Sequence, residues 1–431
     1  MAKRSDRNSG VASRLMMGAL GHRNYRLFFA GQGLSLIGTW MQRIAVSWLV
    51  YRITGSAFLL GFVGFAGQVP TFILASFAGV FIDRSSRYRV LLVTQILATI
   101  QSIILAALTL TGHIAVWQIF LLSLSLGIIN AFDMPARQSF VIDMVGNKED
   151  LPNAIALNSM MVNGARLAGP ALAGLAVAGF GEGICFVLNA LSFVAIIVAL
   201  LAMKVRRSDR KQSQAHPWHD LKDGYRYAFG FAPIRYLLLL LSLISIMGMP
   251  VQVLMPVFAR DVLHGGPHTL GFLMGTLGIG ALVAAGYLAT RKSVVRLERF
   301  TVIECFLFGL GLMIFSLSHR EIFSFVAIFI AGCGMMGTMA SCNTIIQTVV
   351  DDEKRGRVMG FYAMAIMGMS PFGSLMAGSL ASHIGAPKTV LLGGACCAVA
   401  SLLFARKLAA FREAVRSIYV ARNIITLQEP Q

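Results

Sequence analysis

The sequence predicts an all-α integral membrane protein with twelve transmembrane helices in two parallel six-helix repeats. Three observations carry this: an apolar composition, a series of apolar runs of spanning length, and a second half that repeats the first. Hydrophobic residues make up 56% of the 431 and charged residues only 13%, with a mean hydropathy of +0.72. A water-soluble domain of this size needs a mostly polar surface, which such a composition cannot supply.

The apolar runs fall at 27–50, 57–82, 90–111, 114–136, 154–180, 183–203, 234–258, 269–290, 300–318, 321–343, 358–384 and 388–405. Each is long enough, as a helix, to cross a hydrocarbon core of about 30 Å. Displacing the sequence by about 210 positions lays "LLGFVGF" (59–65) on "TLGFLMG" (269–275) and "NYRLFF" (24–29) on "PIRYLL" (233–238). Gln32, Ser35 and Gln42 of the first run then fall on Ser242, Ser245 and Gln252 of the seventh. Apolar composition alone does not align polar residues. "ARLAGPALAG" (165–174) matches "GMSPFGSLMAG" (368–378) at a shift near 201, a short deletion in the second half. Repeating an even number of spans preserves orientation, so the halves are parallel repeats about an axis along the membrane normal. The expected organisation is a bundle at 1–203, a linker at 204–232 and a second bundle with a tail at 233–431. The linker holds Lys204, Arg206, Arg207, Arg210 and Lys211, with Trp218, Leu221, Tyr225 and Phe229 along one side, the pattern of a segment lying on the membrane surface.

Charge sets the orientation. With both termini on the cytoplasmic side, only Arg52, Arg260, Arg320 and Lys388 of the 37 Lys and Arg fall opposite, and Arg43 and Arg166 lie within spans. This is a strong positive-inside bias. The net charge of +18 therefore reads as topology and contact with anionic lipid, and no nucleic-acid partner is expected. Charges interrupt "VASRLMMGAL" near the N-terminus, so no cleavable signal sequence is expected and the first span is expected to stay.

Several patterns exclude other chemistry. The six cysteines all fall in or beside apolar runs, as packing residues do. "GCGMMG" (332–337) spells a dinucleotide fingerprint, but inside an apolar helix rather than after a strand. His216 with His219, and His264 with His268, lack further ligands at metal-site spacing. There is no phosphate-binding loop with its lysine. Neither an enzyme, a metal nor a cofactor is expected.

Helical periodicity gives candidate cavity residues. Gln32, Ser35, Thr39, Gln42 and Arg43 form a polar stripe on span 1, and Ser123, Gly127, Asn130, Asp133 and Arg137 form another on span 4. Span 7 offers Ser242, Ser245 and Gln252, and span 10 offers Met336, Met339 and Asn343. Each stripe faces protein or water rather than lipid, and interhelical hydrogen bonding is the alternative to substrate contact. Asp133 and Glu304 are the acids placed within spans and hence the protonatable candidates. Glu304 is preferred for proton coupling, because Asp133 has Arg137 one turn along its helix.

In "GVFIDRSSRYRVLL" (79–92), Gly79, Asp83, Arg84 and Arg87 stand as in the signature between helices 2 and 3 of the major facilitator superfamily, which the chain resembles. Ser86 and Tyr88 depart from it. The resemblance implies a latch of Asp83 and Arg87 with neighbouring helix ends, in which Arg137 and Asp143 take part. "GARLAGPALAG" (164–174), with Arg166, Gly169, Pro170 and Gly174, resembles the motif of the antiporter branches. "AFDMPARQSFVIDMV" (131–145) and "CFVLNALSF" (185–193) are similar to the drug:proton antiporter branch that includes the enterobactin exporter. Ser123 stands near the place where many antiporters carry an arginine. The resemblance implies a cavity lined by spans 1, 4, 7 and 10 and a monomeric, multi-pass protein of a bacterial-type inner membrane. It implies that a small amphiphile, drug or siderophore-like, is exported against protons by alternating access. Uptake or facilitated diffusion of a small organic solute is the alternative, since repeat architecture does not set direction.

Overall fold

The computed structural model describes residues 18–145, 148–204, 225–291, 293–422 and 424, and every regular element among them is helical. In chain order the long helices are α1 (Arg23–Thr54), α2 (Ala57–Arg84), α3 (Arg87–Leu110), α4 (Val116–Met144), α5 (Leu151–Phe180), α6 (Glu182–Ala202) and α7 (Ala232–Val262). Then come α8 (Pro267–Thr290), α9 (Leu297–Leu317), α10 (Glu321–Val349), α11 (Arg355–Ile384), α12 (Ala386–Ala405) and α13 (Leu408–Ala421). Eleven of them, α2 to α12, are long and apolar enough to cross a membrane. The protein is thus a multi-pass membrane protein. Helix α1 has the length, 32 residues, but carries Arg26, Gln32, Gln42 and Arg43. The polar stripe that marks it as a cavity candidate also lowers its apolarity below that of the others.

Helix ends follow their local chemistry. Gly181, at φ 80, separates α5 from α6, and Gly385, at φ 86, separates α11 from α12. Both take the left-handed backbone that only glycine adopts freely, at matching places in the two halves. Two helices of the second half are interrupted by wide turns, Ile244–Gly248 and Phe258–Val262 in α7 and Met364–Gly368 in α11. Such π-turns displace backbone carbonyls from the regular ladder.

The chain divides into two compact units, Met1–Leu49 with Ala66–Gln212, and Val50–Phe65 with Ser213–Gln431. The linker expected at 204–232 lies outside the described residues over 205–224. Its described end, a helix over 225–230, stacks Tyr225 on Phe229 at 4.6 Å, both against Phe361.

In the first unit, α1 runs parallel to α5 at a nearly constant offset. His22 meets Asp150 at 2.9 Å, Tyr25 donates to the Ala154 carbonyl at 2.8 Å, and Gly33 and Gly169 approach Met161 and Trp40 respectively. Gly38 lets α1 close on α6, where a Cβ would stand 2.5 Å from Asn189 Oδ1. A cluster including Phe28, Leu91, Phe140, Ile196 and Leu200 fills the space beneath. In the second unit, α10 packs between α8 and α9. The glycines of "GCGMMG" serve this directly, Gly332 against the Leu277 carbonyl of α8 and Gly334 and Gly337 against Glu304 of α9. That motif is helix packing.

Helix α13 lies beyond the last span. Phe411, Val415 and Tyr419, spaced four apart, are its buried face. Arg412 bonds the buried Glu298 at 2.8 Å, and Arg422 donates to the Val350 carbonyl at 2.9 Å. Burial, with the Glu298 charge nearby, pushes the Tyr419 phenol up to about 12, so it stays neutral.

Candidate functional site

In the first unit the polar residues of α1 divide into two sets. Gln32 and Ser35 are buried, and Thr39 donates to the Ser35 carbonyl at 2.8 Å. Gln42, part of the polar stripe expected to line the cavity, has both ends of its amide engaged inside the first unit. Its NH2 donates to Gln101 Oε1 at 3.0 Å, and its carbonyl oxygen accepts from Ser102 at 2.6 Å and Asn189 at 2.8 Å. Ser192 extends the network to Asn189 Oδ1 at 3.1 Å. Buried amides in apolar surroundings are costly unless paired, and this network ties α1, α3 and α6 together. The partners Gln101, Ser102 and Asn189 are absent from the cavity expectation, although polar residues buried in α3 and α6 spans are the signal that finds them.

Arg43 and Arg166 form a second arrangement. The Arg43 guanidinium lies 5.2 Å from the Trp40 ring centroid and that of Arg166 lies 5.6 Å from the same ring. Close packing brings them together, since a Cβ at Gly169 would fall 2.4 Å from Trp40 Cβ and 3.1 Å from the Ile37 carbonyl. Arg166 precedes this contact by one turn of α5, and Arg43 follows Trp40 by one turn of α1. Gly169, Pro170 and Gly174 are all buried. Each cation–π contact contributes about 0.5–2 kcal/mol, depending on desolvation. An arginine within a span costs about 2.5–3.5 kcal/mol on insertion scales.

Asp133 and Glu304 have opposite surroundings. Asp133 Oδ1 accepts from Thr94 at 3.0 Å and Gln95 at 2.7 Å, and Arg137 stands 3.9 Å from Oδ2. It is a buried, compensated carboxylate. Glu304 is also buried, but its Oε2 has no hydrogen-bond partner. Gly337 leaves the space its side chain occupies, because a Cβ there would fall 2.6 Å from Glu304 Cγ.

At the start of α3, Arg87 donates to Asp143 at 3.0 Å and to the Ser139 carbonyl at 3.0 Å, joining α3 to the end of α4. Arg84 is exposed and Gly79 has open space around it. The side chain of Asp83 lies outside the described residues. Asn130 is half-buried on α4. Helix α2 approaches α4 closely, and Gly67 and Pro70 there fit against Ser123 and Gly127.

In the second unit, Ser245 donates to the Ile366 carbonyl at 2.5 Å, so the wide turns of α7 and α11 meet there. Gln252 points its NH2 at the Met335 sulfur, 3.9 Å away. Met336, Met339 and Asn343 are half-buried on α10, with Asn343 accepting from Gln347 at 3.0 Å. Tyr51 donates to Asp261, and Arg260 donates to the Tyr51 carbonyl at 3.3 Å. The wide turns leave no mark in hydropathy, and none is expected from sequence.

Three comparisons bear on identity. A family model described as "Transmembrane secretion effector" matches residues 16–423. Among curated proteins, the chain is 26% identical over 374 residues to the staphyloferrin A transporter of Staphylococcus aureus, covering 86% of this chain and 92% of that protein. It is 22% identical over 384 residues to macrolide efflux protein A of Streptococcus pyogenes, covering 86% and 94%. It is 25% identical over 374 residues to the multidrug efflux pump Tap of Mycolicibacterium fortuitum, covering 84% and 88%. Among solved structures, a peptide transporter superposes with TM-score 0.71 at 12% identity over 91% of this chain and 95% of that one. A bacterial homologue of the iron transporter ferroportin does so with TM-score 0.66 at 18% identity over 89% and 98%. The fold is that of these transporters. With the family match running from before α1 to the end of α13, the chain belongs to the transmembrane secretion effector family of the major facilitator superfamily.

Proposed function

We propose that the protein is a secondary active exporter, moving a small amphiphilic compound out of the cell by alternating access in exchange for protons. The observation that carries proton exchange is the contrast between its two intramembrane acids. Asp133 is held by two hydrogen-bond donors and faces Arg137, so its charge is compensated where it stands. Glu304 is buried with an oxygen that has no hydrogen-bond partner, so nothing at that oxygen holds its charge in place. Export rather than uptake is supported by two of the relatives, named as a macrolide efflux protein and a multidrug efflux pump.

In this reading the protein works as a monomer in the inner membrane, with both termini cytoplasmic and its basic loops against anionic lipid. The Arg87–Asp143 pair, with Arg137 and Asp133, belongs to a latch that stabilises one conformation and breaks in the other. Substrate meets the half-buried residues Thr39, Asn130, Gln252, Met336, Met339 and Asn343 and the guanidinium of Arg43. Gln32, Ser35, Gln42 and Ser245 shape this site from within the bundles. The test is a search for transported compounds in everted vesicles with an imposed proton gradient, using siderophores, macrolides and dyes. Accumulation that collapses when the gradient is dissipated supports the reading. Accumulation that only equilibrates, with or without the gradient, would make the protein a facilitator.

A further inference from the structure

Two guanidiniums share one indole in the first unit. Among the described residues no carboxylate stands within ion-pair distance of Arg43 or Arg166, and the buried Nε of Arg166 has no hydrogen-bond partner. Three acids of this unit are engaged elsewhere: Asp133 with Thr94, Gln95 and Arg137, Asp143 with Arg87, and Asp150 with His22. Arg43 is exposed, although Gln42 and Ile44 beside it are buried. Two like charges held against one ring by tight helix packing repel each other. The packing contact at Gly169 keeps them together all the same.

We propose that Arg43, Trp40 and Arg166 form the anion-recognising part of the substrate site, and that the exported amphiphile carries a carboxylate beside a planar group. This rests on the exporter reading above and names the substrate class of that site. A guanidinium presents a planar fork of N–H donors that matches a carboxylate, with geometry that an ammonium does not supply. Two forks flanking an indole would neutralise a carboxylate group while the indole stacks on the adjoining planar part. The same pair repels cationic amphiphiles, so it selects against them as well as for anions.

The probes are dansyl-glutamate and dansyl-cadaverine, which share a fluorophore and differ in charge. Each is titrated by fluorescence anisotropy into the full-length protein in phosphatidylcholine nanodiscs. The expected result is that dansyl-glutamate binds at least about tenfold more tightly, in line with charge-assisted pairing to a guanidinium. Arg43→Gln and Arg166→Gln should each remove most of that preference, and Arg166→Lys should keep part of it. Arg43 is exposed, so Arg43→Gln carries the test even if the Arg166 variants do not fold. Unchanged preference in Arg43→Gln, or equal affinity for the two probes in the parent protein, would overturn the proposal. Dansyl-glutamate binding that vanishes in phosphatidylglycerol nanodiscs would mean that the pair holds a lipid phosphate, and would overturn it too. Binding is read without transport. Equal affinity for the two probes in a parent protein that exports therefore sinks this inference alone, and failed uphill transport by a parent protein that shows the preference sinks only the exporter reading.

Discussion

Replacing Gly169 by alanine isolates the contact that holds α5 on α1. The added Cβ would stand 2.4 Å from Trp40 Cβ and 3.1 Å from the Ile37 carbonyl oxygen. Both atoms are fixed to the α1 backbone, so no side-chain rotation relieves the clash. Ordinary carbon contacts lie at about 3.5–4.0 Å, so the helices must part by roughly 1 Å. Overpacking of this kind costs about 1–3 kcal/mol. Gly164→Ala is the matched control, on the same helix with nothing within 4 Å of its added Cβ. There the change should be neutral or stabilising by up to about 1 kcal/mol, from helix propensity alone. Reversible unfolding of both variants in mixed micelles, followed by tryptophan fluorescence, separates them. If Gly169→Ala proves as stable as Gly164→Ala, α1 and α5 do not meet at Trp40, and the placement of Arg166 beside that ring fails with them.

Asn189→Ala removes a donor from Gln42 and Ser102 in the buried network and should cost about 1–3 kcal/mol for the group left unsatisfied. An unfolding midpoint equal to the parent's would show that the network is not formed. Arg412→Ala strands the Glu298 carboxylate, which is 4% exposed, and unpaired buried charges cost about 3–5 kcal/mol. Double substitution with Glu298→Gln should recover much of that loss, and no recovery would argue against the pair. Gly337→Ala pushes a methyl group onto the flexible Glu304 side chain. It should leave folding nearly unchanged while lowering gradient-driven transport, and wild-type transport would show that the carboxyl's position does not matter.

The legible part of the fold follows from what a bilayer demands. Apolar runs of spanning length and the repeat of "LLGFVGF" by "TLGFLMG" prescribe the helices, because every backbone group in lipid must be satisfied within its own segment. Helix α13 shows what escapes that argument. Its Phe411, Val415 and Tyr419 stripe is readable at period four, but a short amphipathic helix after the last span has no hydropathy signal. The wide turn at Ile244–Gly248 escapes too, since its cause is tertiary: Ser245 reaching the Ile366 carbonyl of a distant helix. In the site, helical periodicity put Gln42 and Arg43 on one stripe. Adjacent residues on a helix point about 100° apart, so Gln42 turns inward to Gln101 and Asn189 while Arg43 stays exposed over Trp40. A stripe defines a sector of the helix, and packing decides which part of that sector is buried. Arg166 and Trp40 lie on different helices, and only the approach at Gly169 brings them together.

Proton exchange through Glu304 is the central claim, and substrate-induced proton movement tests it most directly. Everted vesicles are acidified inside, an internal pH dye is followed, and a compound transported in the screen is added outside. The parent protein should discharge the gradient when substrate is added. Glu304→Gln should leave the gradient intact while still equilibrating substrate downhill, and Asp133→Asn should discharge it like the parent if it folds. Substrate-dependent proton release by Glu304→Gln at the parent's rate would contradict the account.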